Sequence, residues 1–354
     1  MSTQNLSVAC LGAGYFAQFH HEAWQRLEHV TLIACCDSDL ERAKAVSASA
    51  FSTLDAMLNA VVPDILDIAT PPDTHASAIS QALDAGVSTI ICQKPFCRSL
   101  QEATQLTEAA AAAGARLIVH ENFRFQPWYR LIGAAIEAGE IGTVQQASFR
   151  LRTGDGQGPD AYMERQPYFQ SMPRLLVHET AIHYIDTFRF LFGEVHSVYA
   201  DLRRLNPDIV GEDAGYILLE MDHGVQALFD GNRHLDHAAE NTRLTLGEGL
   251  FEGTRGSLSL HGNGQVRKRT FGHTDEQLVY PAQDWPGFAG DSVYAFQQHV
   301  VSHLLHGTML ETAAQDYLEN IRLELLVYRS SEEGRRLPTN DQLHSDNTTN
   351  DLAT

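Results

Sequence analysis

Short apolar runs alternate with amphipathic stretches over the first third of the chain. The apolar runs have the length and composition of buried strands and lie at 6–11, 30–36, 65–69, 87–92 and 117–120. The stretches between them carry apolar residues at helical spacing and lie at 18–24, 40–48, 54–60, 75–85 and 99–113. Strands that alternate with helices predict a doubly wound α/β fold with a parallel sheet.

After about residue 122 the pattern changes, and strands become the more frequent element. Helices are predicted at 127–138, 174–192, 292–306 and 312–336, and strands at 142–152, 195–203, 215–221, 225–229, 242–246, 256–260 and 266–270. We therefore predict a first domain at 1–122, a second α+β domain at 123–338, and a polar, disordered tail at 339–354. An antiparallel sheet with helices on one face leaves the other face open, and a second copy usually covers it.

Composition and charge narrow the functional classes. The 354 residues carry a formal charge of −20, which argues against nucleic acids and anionic membranes as partners. No apolar run approaches the ~18 residues of a membrane span, and the first five residues lack the basic segment of a secretory signal. Five cysteines without a CxxC pair favour reduced thiols in the cytosol and disfavour a structural zinc site.

The first predicted strand runs directly into the motif Gly12-x-Gly14-x-x-Ala17. Gly12 permits a tight turn, Gly14 lets the backbone approach a pyrophosphate, and Ala17 allows close packing of helix on strand. The motif, with Tyr15 and Phe16 inside it, predicts a dinucleotide site at the N-terminus of the following helix. An ordinary glycine-rich turn is the alternative that the motif alone leaves open.

Asp37 ends the second predicted strand, at the spacing of about 20 residues expected for a ribose-binding acid. A carboxylate there accepts hydrogen bonds from the ribose hydroxyls and repels a 2′-phosphate, so NAD is favoured over NADP. Arg42 on the next helix leaves NADP as the second possibility. Asp37 could instead cap the helix that begins near Leu40.

Two later strands also end in polar residues. Lys94 follows the strand at 87–92, and the next residue is a proline, which keeps Lys94 out of the helical region. This places Lys94 at the carboxyl end of the sheet, where such folds bind ligands, although a surface lysine in a turn is the plain alternative. In the loop after 65–69, His75 falls in the first turn of a helix, which predicts a neutral imidazole that caps the helix or contacts the cofactor.

The helix predicted at 174–192 carries Glu179 and His183 four residues apart, with Asp186 three residues later, so all three can share one face. His178 and His183 have the wrong spacing for a zinc-binding HExxH motif, and we predict no metal. The segment 161–169, which contains Tyr162, is polar and aromatic at once. That composition suits a sugar, and equally a surface loop with aromatic anchors.

Taken together, these motifs resemble the Gfo/Idh/MocA family of NAD(P)-dependent oxidoreductases. The resemblance rests on the glycine motif, Asp37, Thr70-Pro71-Pro72-x-x-His75, Lys94-Pro95, Asn122-x-Arg124-Phe125-x-Pro127 and Glu179-x-x-x-His183-x-x-Asp186. It implies an N-terminal Rossmann domain, a C-terminal α+β domain with a large open, mainly antiparallel sheet, and a homodimer or homotetramer. It also implies oxidation of a small sugar or polyol with NAD.

Residue roles follow from the same resemblance. His183 is implied to be the general base, Lys94 to hydrogen bond the same substrate oxygen, and Glu179 to orient the substrate or His183. The implied cofactor site comprises Gly12, Gly14, Tyr15, Phe16, Ala17, Asp37, Thr70, Pro71, His75, Gln93, Lys94 and Asn122. The resemblance places Lys94, Glu179 and His183 at the substrate, and we predict further walls of the substrate site from Arg124, Tyr162, Arg165 and Tyr168.

The chain departs from the family pattern at two positions. Gln93 stands where the family usually has Glu, and Glu179 where it usually has Asp. Three stretches, at 93–96, 120–124 and 165–169, are also similar to aldose dehydrogenases of this family, which points to oxidation of a branched aldopentose at C1 to its lactone. A non-catalytic NAD-binding sensor and a redox-neutral NAD-dependent glycosidase are the alternatives on the same fold.

Overall fold

The computed structural model describes residues 5–341, and the chain divides into two compact units. Of the described residues, the first unit contains 5–122 together with Val293–Glu319, and the second contains Phe123–Ser292 together with 320–341. The predicted boundary after residue 122 is therefore present, but 293–319 belongs to the first unit and not, as predicted, to the second. Of the predicted tail, Thr339 donates a backbone hydrogen bond of 2.8 Å to His196, and residues 342–354 lie outside the described part.

The first unit contains a six-stranded sheet in which every pairing is parallel. Its strands are β1 (Leu6–Leu11), β2 (Val30–Cys36), β3 (Ala50–Phe51), β4 (Ile65–Ile68), β5 (Thr89–Gln93) and β6 (Arg116–His120). The helices that connect them are α1 (Ala17–Arg26), α2 (Leu40–Val46), α3 (Leu54–Ala60), α4 (His75–Asp84) and α5 (Leu100–Ala112). The strand order β3-β2-β1-β4-β5-β6 reverses direction between β1 and β4, which is where doubly wound sheets bind dinucleotides.

The second unit is built on a nine-stranded, mostly antiparallel sheet. Its helical elements include α6 (Pro127–Glu137), a π-helix (Leu176–Ala181) and α7 (Ile182–Phe192). The strands are β7 (Val144–Leu151), β8 (Val195–Arg203), β9 (Ala214–Met221), β10 (Gln226–Asn232), β11 (Gly247–Gly253), β12 (Gly256–Leu260), β13 (Val266–Thr270), β14 (Glu276–Tyr280) and β15 (Leu337–Pro338), in the order β14-β13-β12-β11-β7-β10-β9-β8-β15. Two last helices, α8 (Phe288–His306) and α9 (Ala314–Glu333), contribute residues to both units.

Among residues 5–341, no helix combines the length and apolar character that a membrane crossing requires.

One face of the large sheet packs against helices, and in the described part of the chain the other face carries exposed side chains such as Tyr199 and Leu250. Buried residues of alternating strand positions, such as Phe149, Phe229 and Phe251, form one core with Tyr184 and Phe188 of α7. Residues at the intervening positions point away from this core and form a row of direct cross-strand neighbours. The row contains Tyr199, Leu218, Leu228, Ser148 and Leu250.

The sequence pattern misplaced one strand of this sheet. Residues 242–246 were expected to be extended but form turns, and the strand β11 begins only at Gly247. Glycines at 247 and 253 weaken the strand signal, but this strand needs them because the neighbouring backbone lies very close. A Cβ atom at Gly247 would lie 1.9 Å from the carbonyl oxygen of Arg150, and one at Gly253 would lie 2.3 Å from that of Ile141.

Candidate active site

The glycine motif forms a tight turn between β1 and α1. Gly12 adopts a positive φ of 107°, and a Cβ atom there would lie 2.5 Å from the backbone oxygen of Ala69. At Gly14 a Cβ atom would meet nothing within 4 Å, so there is open space before α1 begins at Ala17. A turn that only glycine can make, beside open space at a helix N-terminus, fits the pyrophosphate of a dinucleotide.

The carboxylate of Asp37 is fixed against the glycine turn. Its Oδ2 accepts a hydrogen bond of 2.6 Å from Ala13 N, and its Oδ1 accepts one of 2.8 Å from Asp39 N. Asp39, and not Asp37, is the N-cap of α2 and accepts from Glu41 N at 3.1 Å. The capping alternative for Asp37 is therefore wrong. Each carboxylate oxygen keeps a lone pair that suits a ribose hydroxyl.

His75 holds two loops of this site together. The imidazole is fully buried, with Nδ1 3.0 Å from the carbonyl oxygen of Phe96 and Nε2 2.7 Å from that of Thr70. Burial lowers the pKa of His75, which favours the neutral form. The capping alternative is wrong, because both ring nitrogens face carbonyl oxygens, and a contact of His75 with the cofactor stays a prediction. Asn122, at 1% exposure, is similarly enclosed.

Lys94 directly follows the carboxyl end of β5, as predicted, and is partly exposed. The Lys94–Pro95 peptide bond is cis. The backbone N–H of Lys94 donates a 2.7 Å hydrogen bond to Oε1 of Gln93, the last residue of β5. Thr70 and Pro71 follow β4, and the Thr70 hydroxyl lies 2.7 Å from that of Thr74.

In the second unit, the helix predicted at 174–192 is broken into two parts. Residues Leu176–Ala181 form a π-helix, and α7 begins at Ile182. The half-buried Glu212 carboxylate lies at the start of the π-helix and accepts from Val177 N at 3.1 Å and from Leu175 N at 3.3 Å. Single π-helical turns are frequent at functional sites, and this one carries Glu179.

His183 lies just after the π-helix and is 4% exposed. Its ring stacks on that of Phe123, with the ring centroids 3.8 Å apart and the planes 3° from parallel. This contact restricts the ring to one plane. Glu179 is partly exposed, whereas Asp186 is 1% exposed and belongs to a different interaction.

Asp186 forms a two-pronged ion pair with Arg124. Arg124 Nε lies 2.7 Å from Oδ2, and Nη2 lies 2.6 Å from Oδ1, which also accepts from Asn320 at 2.7 Å. This ion pair holds the guanidinium of Arg124 in place, and its role as a wall of the substrate site stays a prediction. The pair links the start of the second unit to α7.

The aromatic segment 161–169 divides into a buried and an exposed part. Tyr162 is 7% exposed and packs edge-on against Phe169, which fits the aromatic-anchor alternative, while its contact with a sugar stays a prediction. Burial raises the pKa of Tyr162 to about 12. Tyr168 is 55% exposed, and the side chain of Arg165 is 35% exposed.

Arg233, which the sequence did not single out, joins this loop to the π-helix. Its guanidinium donates to Asp155 at 2.8 Å and to Thr180 at 3.0 Å, and it lies over the Tyr162 ring at 4.9 Å. Burial would lower the pKa of Arg233, but charge interactions with Asp155, Tyr162 and Glu179 raise it. Arg233 follows the end of a strand, as many surface arginines do. The hydrophobic pattern of the sequence therefore does not indicate that it is buried.

The described residues contain no group of three or more His, Cys, Asp or Glu side chains placed to hold a metal ion. All five cysteines are buried and free. Burial raises the pKa of Cys35 to about 12 and that of Cys36 to about 11, so these thiols are protonated at neutral pH.

Comparison with known proteins identifies both parts of the chain. Residues 6–121 match the oxidoreductase family with an NAD-binding Rossmann fold, and residues 129–259 match the GFO/IDH/MocA C-terminal domain. The chain is 34% identical to a D-apiose dehydrogenase of Paraburkholderia graminis, over 92% of this chain and 88% of that protein. A D-apiose dehydrogenase of Rhizobium rhizogenes is 30% identical to it, over 95% of this chain and 98% of that protein.

A solved structure agrees with these matches over nearly the whole chain. It is an oxidoreductase from Agrobacterium radiobacter in complex with NAD+, L-tartaric acid and magnesium. Its sequence is 28% identical, and the superposition covers 95% of this chain and 99% of that one with a TM-score of 0.85.

Proposed function

The chain belongs to the Gfo/Idh/MocA family of NAD-binding oxidoreductases, and on that premise we propose that it oxidises D-apiose, or a closely related aldose, at C1 to the lactone. The observation that carries the proposal is the similarity to two D-apiose dehydrogenases over at least 88% of each chain. The predicted oxidation of a branched aldopentose is consistent with it.

The chemistry needs a base for the C1 hydroxyl and a donor to the same oxygen. When bound, NAD supplies the nicotinamide ring that accepts the hydride. We assign His183 as the base, since Phe123 holds its imidazole in one plane and histidine exchanges protons near neutral pH. Lys94 donates a hydrogen bond to the oxygen and stabilises the negative charge that grows as the proton leaves.

Atoms and electrons balance in this assignment. The hydrogen on C1 leaves with its electron pair, the hydroxyl proton moves to His183, and the C1–O single bond becomes the carbonyl of the lactone. Glu179 orients the substrate or His183. Arg165 and Tyr168, two exposed polar side chains of the 161–169 segment, bind the remaining sugar hydroxyls.

A panel of aldoses and polyols tests the proposal by the absorbance of NADH formed with each substrate. D-apiose should give the largest kcat/KM, and the lactone should appear in equal amount. A protein that binds NAD but reduces none with any substrate would support the sensor alternative. Substrate cleavage without accumulation of NADH would support the redox-neutral glycosidase.

We also propose that a second copy of the chain covers the open face of the large sheet. Two residues of the cross-strand row, Tyr199 and Leu250, are exposed, and Tyr216 beside them is 43% exposed. Apolar side chains in register across neighbouring strands form a flat surface that suits a two-fold contact. Sedimentation of Tyr199→Asp should show smaller particles than the unaltered protein.

We place the protein in the cytosol because its five cysteines are unpaired thiols.

A further inference from the structure

Three buried polar side chains lie directly behind Lys94 in the first unit. Asp67 of β4 and His20 of α1 are inaccessible to solvent, and Gln93 at the end of β5 is 8% exposed. Gln93 Nε2 lies 3.0 Å from His20 Nε2, and His20 Nδ1 lies 2.9 Å from Asp67 Oδ2. With the 2.7 Å bond from Lys94 N to Gln93 Oε1, these contacts form an unbroken chain, which we call the Lys94–Asp67 chain.

The donors and acceptors of this chain can be assigned from its two ends. A backbone N–H only donates, so the Gln93 atom that faces Lys94 N is the amide oxygen. The amide nitrogen then faces His20 and can only donate, so His20 Nε2 must accept. At the far end Asp67 Oδ2 accepts from Trp24 Nε1 at 2.6 Å and from His20 Nδ1.

Because His20 Nε2 accepts from Gln93, the proton of a neutral His20 lies on Nδ1 and is donated to Asp67 Oδ2. Burial alone would raise the pKa of Asp67, but the hydrogen bonds that it accepts from His20 and Trp24 lower it. Every bond of the chain therefore points from Lys94 toward Asp67. The arrangement is complete only when His20 is neutral, with its proton on Nδ1.

The protonation states of the titratable groups around His20 are consistent with a single negative charge here, that of Asp67. On α1 itself, burial lowers the pKa of His21, which favours its neutral form. On β1 and β5, burial raises the pKa of the Cys10 and Cys92 thiols, so they stay protonated. From β6, His120 stacks on His20 with the ring centroids 4.0 Å apart.

We infer that Gln93 is a positioning residue that fixes Lys94 through the Lys94–Asp67 chain, and that its amide keeps His20 neutral. The inference deepens the proposed function, because it rests on Lys94 acting on the substrate. A rigid main chain at Lys94 matters because a displacement of about 1 Å at a reacting group can lower the rate about 10²-fold.

Substitution of Gln93 separates the two parts of this inference. Gln93→Met keeps the length of the side chain but can neither accept from Lys94 N nor donate to His20. Gln93→Glu keeps the acceptor for Lys94 but loses the donor to His20, so His20 must take up a proton to complete the chain. Gln101→Glu, on the exposed face of α5, adds the same charge away from the chain and serves as the control.

The charge of His20 is measured by NMR of the ring nitrogens in protein labelled with 15N-histidine. The signals of His20 are assigned by their loss in His20→Asn. The unaltered protein and Gln101→Glu should show two unequal ring nitrogens, with the proton on Nδ1. Gln93→Glu should show the two similar, protonated nitrogens of an imidazolium. An imidazolium in the unaltered protein, or a neutral His20 in Gln93→Glu, would overturn the inference.

The positioning role is measured by a double-mutant cycle with Lys94→Ala. Gln93→Met should lower kcat about 10²-fold, the effect expected of a misplaced reacting group, with unchanged NAD affinity. In the Lys94→Ala background the same substitution should cause no further loss. Independent, multiplying losses would show that Gln93 does not act through Lys94. If no aldose is oxidised while the NMR result holds, the proposed function fails and the hydrogen-bond chain stands. If Gln93→Met does not fold, the NMR of Gln93→Glu still decides the matter.

Discussion

Replacement of Asp37 by Ala should weaken NAD binding and reduce the preference of the protein for NAD over NADP. In the structure both carboxylate oxygens are held by backbone N–H groups, Ala13 N at 2.6 Å and Asp39 N at 2.8 Å, so the carboxylate is already in place for ribose. A hydrogen bond to a charged group contributes about 1.5–3 kcal/mol. Loss of one ribose bond should therefore raise the Kd of NAD about 10- to 100-fold, since each 1.4 kcal/mol is about a factor of ten.

Calorimetric titration with NAD and with NADP measures both affinities. The Kd of NADP should not rise, because the carboxylate that repels the 2′-phosphate is gone. Asp39→Ala is the matched control. It removes a carboxylate two residues away that caps α2, and should lower stability by about 1 kcal/mol without a change in cofactor affinity. Tighter binding of NADP than NAD by the unaltered protein would refute this account of Asp37.

Three other predictions concern chemistry, substrate and pH. Lys94→Ala and His183→Ala should each lower kcat by about 10²–10⁴, the range for a lost acid–base group, while calorimetry shows NAD still bound. Arg165→Ala should raise KM for the aldose about tenfold or more, as for a lost charge-assisted bond, and the exposed Arg150→Ala should not. Because the folded-state pKa of Asp67 is lowered, its contribution to stability is complete above the unfolded value of about 3.9 and is lost as pH falls below it. Thermal unfolding of Asp67→Asn should show a weaker loss of stability in acid than the unaltered protein.

Much of the first unit could be predicted from the sequence because each strand carries its own signal. The bounds of β1 and β2 are as the apolar runs predict, and α3 begins and ends as expected. The two-residue β3 was missed, since a pair of residues has no periodicity. Nothing local indicates that 293–319 belongs with the first unit, because that association depends on contacts distant in sequence.

The second unit shows where local patterns fail. The sequence pattern predicts an ordinary helix over Leu176–Ala181, because contacts of the π-helix such as that of Val177 N with Glu212 come from residues distant in sequence. β11 carries glycines that normally argue against a strand, and they are needed for close approach of the backbone.

The residues of the candidate site could also be predicted only in part. Gly12, Asp37 and Lys94 could be recognised because each follows a strand end, where ligands bind. The partners that fix them could not, because His20 and Asp67 look like core positions of α1 and β4 until the fold brings them together. For the same reason the ion pair of Arg124 with Asp186 could not be predicted, since the two residues lie 62 positions apart.

The central claim, direct removal of hydride from C1 of an aldose, is tested by D-apiose that carries deuterium at C1. After incubation with the protein and NAD, mass spectrometry of the reduced cofactor should show one deuterium, and the lactone should have lost it. His183→Ala should give the same labelled product at a much lower rate. Reduced cofactor without deuterium would place the oxidation at another carbon, and no reduced cofactor from D-apiose or any other aldose would contradict the account.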